Sequence, residues 1–73
     1  MAITVSAHIT GTVWKINVKV GDTVAEGDTV AILESMKMEM PVESPAAGKV
    51  AAVLAKEGAP IEEGAPVIEL SEP

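Results

Sequence analysis

All six glycines of this 73-residue chain fall into three pairs with one spacing: Gly11 and Gly48, Gly21 and Gly58, Gly27 and Gly64 each lie 37 residues apart. Other positions keep the same offset. Val13 matches Val50, Ile16 matches Val53, Lys19 matches Lys56, Val24 matches Ile61, Glu26 matches Glu63, Val30 matches Val67 and Leu33 matches Leu70. Self-similarity at a fixed period means one structural unit built twice. A domain of this size buries only about 60% of the surface its unfolded chain exposes, so neither half can enclose a core alone. The repeat therefore predicts a single domain over residues 1–73, whose two halves bury their apolar faces against each other as a small sandwich or flattened barrel.

The residues inside each half favour strands. Trp14, Ile16, Val18 and Val20 alternate with Lys15, Asn17 and Lys19, the two-residue period of a half-buried strand. Residues 49–57 carry helix propensity in their alanines, but the repeat aligns them with that alternating segment, so they are expected to be strand as well. Gly21-Asp22 and Glu26-Gly27-Asp28 are turn signals. Pro60 and Pro66 replace Thr23 and Thr29 in the second half; lacking an N–H, they belong at an edge or a turn. Strands are expected near 3–7, 12–20, 29–34, 38–43, 48–55 and 66–70, with short pairings near 23–25 and 60–62.

Composition narrows the function. With no cysteine, disulfides, thiolate metal sites and cysteine nucleophiles are excluded. His8 is the single histidine, so no multi-histidine metal site can form within one chain, and no metal is expected. The acidic pairs Glu62-Glu63 and Asp22 with Asp28 lack the dense oxygen ligands of a calcium loop and are expected to be surface charge. The net charge is −6, there is no arginine, and Trp14 is the one aromatic residue, so neither phosphates nor stacked bases have a partner and nucleic acid is not expected. The first residues form no signal sequence and no apolar run is long enough for a membrane span; a soluble, cytoplasmic protein is expected. No acid–base pair or nucleophile constellation is in view, so no catalytic residue is assigned and the chain is expected not to be an enzyme in its own right.

Between the halves stands Glu34-Ser35-Met36-Lys37-Met38-Glu39. A strand enters this segment and a strand leaves it, which places Lys37 on a β-turn at the centre of the repeat. There a lysine is held in water at a fixed point of a rigid body. Its amine, once deprotonated, is a nucleophile toward an activated acyl group, and the resulting amide is stable. A long appended arm would then visit neighbouring active sites at an effective concentration of the order of mM. Methionines on both sides of an exposed turn bring no folding benefit, and methionine is adaptable at recognition surfaces. The pair is expected to be read by a modifying enzyme or to cover the base of the arm, with Glu34 and Glu39 as an acidic collar.

Glu34-Ser35-Met36-Lys37-Met38 resembles the Glu-Ala-Met-Lys-Met attachment motif of biotinyl domains, with Ser35 in place of alanine. The Gly21–Val30 stretch and its counterpart Gly58–Val67 are similar to the paired elements of the biotinyl/lipoyl fold, and the likeness runs from about Val5 to Leu70. The resemblance implies an all-β hammerhead fold, a flattened barrel of two four-stranded antiparallel sheets with quasi-twofold symmetry. It implies biotin amide-linked to Lys37, with Glu34, Ser35, Met36 and Met38 as motif residues for ligase recognition. It further implies loading by a biotin protein ligase, carboxylation of the arm by an ATP- and bicarbonate-dependent biotin carboxylase, and delivery of CO2 through a carboxyltransferase. The chain has no sequence for the protruding loop of some acyl-CoA carboxylase carriers, and so resembles the thumbless, stand-alone biotin/lipoyl attachment proteins. As an isolated domain it is expected to be monomeric. Two other readings stand beside this one: a lipoyl carrier domain of a 2-oxoacid dehydrogenase-type system, whose turn usually resembles Asp-Lys-Ala, and a β interaction module that carries nothing.

Overall fold

In the computed structural model, which describes residues 3–71, eight strands and no helix make up the regular structure. They are β1 (Ile3–Ser6), β2 (Gly11–Ile16), β3 (Thr23–Val24), β4 (Thr29–Ser35), β5 (Met38–Glu43), β6 (Gly48–Val53), β7 (Pro60–Ile61) and β8 (Pro66–Ser71). They form two four-stranded antiparallel sheets, ordered β1-β8-β6-β3 and β5-β4-β2-β7. Shifting each strand by 37 residues, β1 and β3 up the chain and β8 and β6 down it, turns the first order into the second. The halves are therefore interleaved. Each supplies the central pair of one sheet and the two edge strands of the other.

The backbone bonds repeat with the strands. The Gly27 N–H donates to the Ser44 carbonyl at 2.8 Å, and its counterpart Gly64 donates to the Ala7 carbonyl at 2.8 Å. Gly21 donates to the Val50 carbonyl at 2.9 Å, and Gly58 to that of Val13 at 2.7 Å. Every one of these bonds crosses from one half to the other. The core is paired in the same way: Val5 with Val42, Val13 with Val50, Val24 with Ile61, Val30 with Val67, Ala31 with Ile68 and Leu33 with Leu70 are all buried. The remaining pair is Ala7 and Ser44. Ser44 is the single buried polar residue among those described, and its hydroxyl donates to the Ala46 carbonyl at 2.6 Å. A hydroxyl out of water is tolerated there because it has a partner.

Two expectations change in detail. The segment expected as one strand over 12–20 leaves the sheet after Ile16, and its counterpart leaves after Val53. Alternation also fails at Trp14. The ladder to β4 skips from Val13 opposite Leu33 to Lys15 opposite Ile32, so Trp14 is the extra residue of a β-bulge and stands 49% exposed while Val13 is buried. The register of β6 against β8 shifts at the equivalent place, between Val50 and Ala52. The prolines sit where a missing N–H is harmless: Pro60 opens the edge strand β7, and Pro66 opens β8 opposite Ser6, next to the bulge at Val67. No helix among the described residues is long and apolar enough to cross a membrane.

Candidate attachment site

The site is the hairpin β4–β5 at one edge of its sheet. Pairing between β4 and β5 continues to Ser35 opposite Met38, whereas pairing between β4 and β2 stops at Glu34 opposite Thr12. The last residues of the hairpin thus overhang the sheet. Met36 and Lys37 alone connect the two strands, with φ of 52° and 66°. Positive φ at both central residues is the signature of a type I′ turn, whose twist matches that of the flanking strands. Asn-Gly normally fills such turns, because residues with bulkier side chains pay a steric penalty in the left-handed region. Here that conformation is imposed on two long side chains by the ladder below them.

The overhang exposes the turn. Met36 is 92% exposed, Lys37 is exposed, and Met38 is 61% exposed. Opposed residues of an antiparallel pair share a face. Leu33 is buried, so Met40 opposite it and, two residues on, Met38 opposite Ser35 lie on the core-side face, beyond the point where the core ends. Ile9, from the connection between β1 and β2, joins them. Together Ile9, Ser35, Met36, Met38 and Met40 line a shallow depression of about 180 Å³ beside the turn. On the opposite face Glu34 stands directly across from Glu39, both exposed. Like charges in direct opposition weaken a hairpin. The attachment turn is therefore two-faced, apolar on one side and acidic on the other.

The residues singled out in the sequence divide over the hairpin: Ser35, Met36 and Met38 line the depression with two further residues, Lys37 stands at the turn, and Glu34 lies on the other face. Met40 and Ile9 were not legible as site residues. Met40 follows Met36 by four residues and its role shows only in the hairpin register, while Ile9 arrives from a distant loop. At the root of the hairpin Gly11 is equally specific: a Cβ there would collide with the Glu34 carbonyl oxygen and come within 3.3 Å of Ser35 Cβ. Among the described residues, no group of three His, Asp or Glu side chains is placed to hold a metal ion.

Comparison with known proteins bears on this geometry. The family description "Biotin-requiring enzyme" matches residues 1–70. The biotin/lipoyl attachment protein of Bacillus subtilis (strain 168) is 48% identical over 69 residues, spanning 94% of each chain. The biotin carboxyl carrier protein of Streptococcus mutans serotype c is 41% identical over 63 residues, 86% of this chain and 48% of the carrier. The crystal structure of the Kluyveromyces lactis urea carboxylase contains a region that superposes with a TM-score of 0.91 at 39% identity, covering 97% of this chain and 6% of the enzyme.

Proposed function

The chain belongs to the biotin/lipoyl family of biotin-requiring proteins, and from that premise we propose that it is a biotin carboxyl carrier whose arm is built on Lys37. The observation that carries this reading is the overhanging type I′ turn, which holds one exposed lysine between two exposed methionines at the point where the two halves join. The Lys37 Nζ, once deprotonated, attacks the acyl carbon of an activated biotin; the C–N bond forms as the activating group leaves, and the nitrogen gives up a proton. The lysine loses its charge in the product. Its four methylene groups and the rigid turn below them fix where the arm starts and leave its far end free. When bound, biotin supplies a ureido ring that takes up and releases a carboxyl group.

The rest of the site serves recognition. Met36, Met38, Met40 and Ile9 offer a partner an adaptable apolar contact, and Glu34 and Glu39 an acidic one, so a biotin protein ligase would meet the turn from both faces. Ser35 is the small residue that closes the ladder under the turn. The likeness to a biotin carboxyl carrier protein and to a region of a urea carboxylase supports a biotin carboxylase and a carboxyltransferase as the partners between which, on this reading, a monomeric, cytoplasmic carrier moves its cargo.

Incubation with biotin, ATP and a biotin protein ligase tests the attachment. The native chain should become retainable on streptavidin and the Lys37→Arg variant should not, since a guanidinium stays protonated at any working pH. The loaded chain should then take up label from bicarbonate in the presence of ATP and a biotin carboxylase. Loading of the arginine variant, or a loaded chain that takes up no label with several carboxylases, would overturn the assignment.

A further inference from the structure

Sulfur in this chain is concentrated at one place. There are four methionines and no cysteine, and Met36, Met38 and Met40 all lie on the attachment hairpin. Susceptibility of a methionine to oxidation follows its exposure. Met36 and Met38 are 92% and 61% exposed, while Met40 is half-buried. Neither folding nor turn geometry asks for methionine at these two positions. Met36 lies in a left-handed turn outside the ladder, and Met38 lies beyond the end of the core. Leucine would supply equal apolar bulk but has no oxidisable sulfur.

We propose that Met36 and Met38 form a peroxide-sensitive pair whose oxidation to the sulfoxide blocks loading of Lys37. The proposal rests on Lys37 being the site of biotin attachment. The oxidant is a hydroperoxide. A thioether lone pair attacks its electrophilic oxygen, an S–O bond forms, the O–O bond breaks, and the other oxygen leaves as water or alcohol after taking up a proton. Sulfur loses two electrons and the peroxide gains two. A thiol-dependent sulfoxide reductase reverses the step, releasing the oxygen as water while two thiols become a disulfide. Oxidation turns a flexible apolar side chain into a polar one, so the apolar face beside the amine is lost. The fold survives, because neither sulfur belongs to the core.

The test treats the purified, unloaded chain with hydrogen peroxide, maps the sulfoxides by peptide mass, and then measures loading with biotin, ATP and a biotin protein ligase. Met36 and Met38 should oxidise before Met40, and the β-sheet circular dichroism should not change. Loading should slow about tenfold or more, the scale of losing one well-packed recognition contact. Methionine sulfoxide reductases should restore it. In the Met36→Leu/Met38→Leu variant, with each single variant beside it, peroxide should leave loading at that variant's own untreated rate, whatever that rate is relative to the native chain. A folded chain oxidised at both sulfurs that loads at the untreated rate would overturn the proposal. So would leucine variants that lose loading to peroxide as the native chain does, which would put the damage elsewhere, for instance at the exposed Trp14. If the untreated chain does not load, the attachment reading itself fails, and the untreated arm reports that separately.

Discussion

The backbone at Met36 and Lys37 is left-handed at two successive residues that have no conformational licence for it. Each such residue costs about 1–2 kcal/mol. The turn persists because the β4–β5 ladder below it leaves only two residues to reverse the chain. Met36→Gly should release part of that strain. Allowing for the greater freedom glycine gives the unfolded chain, stability should rise by about 0.5–1 kcal/mol, which in a domain this small is a gain of several degrees in Tm, read by thermal unfolding. The same variant should load more slowly, because it removes an apolar contact; a variant that is both less stable and equally well loaded would contradict the turn geometry. A second substitution separates biotin from lipoate. Met36→Asp with Met38→Ala makes the turn resemble a lipoyl site, and the exposure of both methionines means that the fold should be kept. Biotinylation should fall sharply and a lipoate-attaching enzyme should accept the chain. The sequence placed Lys37 on a turn because strands flank it. It did not reveal the type of turn, because the usual Asn-Gly signature is absent and the conformation is dictated by the ladder.

At the scale of elements, the strands were legible wherever burial on one face leaves a two-residue period, and least legible where the chain departs from regularity. Trp14 shows why. Its alternation with lysines left it as either core or partly exposed surface; the bulge decides between them, shifting the face by one residue and giving the buried place to Val13. A bulge adds one residue without any marker in composition, and only the matching shift beyond Val50 reveals it as part of the repeat. The equivalence of β1 and β5 in the repeat was hidden for a different reason. Val5 and Val42 alone are alike, while Ile3/Met40, Thr4/Pro41 and Ser6/Glu43 have diverged, β5 having become the wall of the attachment hairpin. Two glycines bind these elements together. Gly11 lies against the Glu34 carbonyl, and a Cβ on Gly48 would come within 2.6 Å of the Ser71 carbonyl, the same contact in the other half. Since backbone, not a flexible side chain, blocks the added methyl, Gly11→Ala and Gly48→Ala should each destabilise the domain by about 1–3 kcal/mol in urea unfolding. Gly11→Ala should in addition reduce loading, because it displaces the root of the hairpin.

For the whole molecule the repeat foretold two halves but not their interleaving, since spacing carries no information on which strand pairs with which. Each half contributes edge strands to the sheet of the other, and the four backbone bonds donated by Gly21, Gly27, Gly58 and Gly64 all cross between halves. Neither half should therefore fold alone. Peptides of residues 1–36 and 37–73 should each be unstructured by circular dichroism and should regain β-sheet signal when mixed, whereas a folded isolated half would contradict the topology. The division also explains why the attachment point sits where it does. The turn at 36–37 is the one covalent link between halves, and it lies free of the core that both halves share. The central claim is that Lys37 is where biotin is carried, and it is tested most directly by the intact mass of the chain after co-expression with an active biotin protein ligase and a lipoate-attaching enzyme, followed by peptide mapping. The result expected is a single biotinyl group on the peptide containing Lys37. A lipoyl group, an unmodified chain, or biotin on Lys15, Lys19, Lys49 or Lys56 would contradict it.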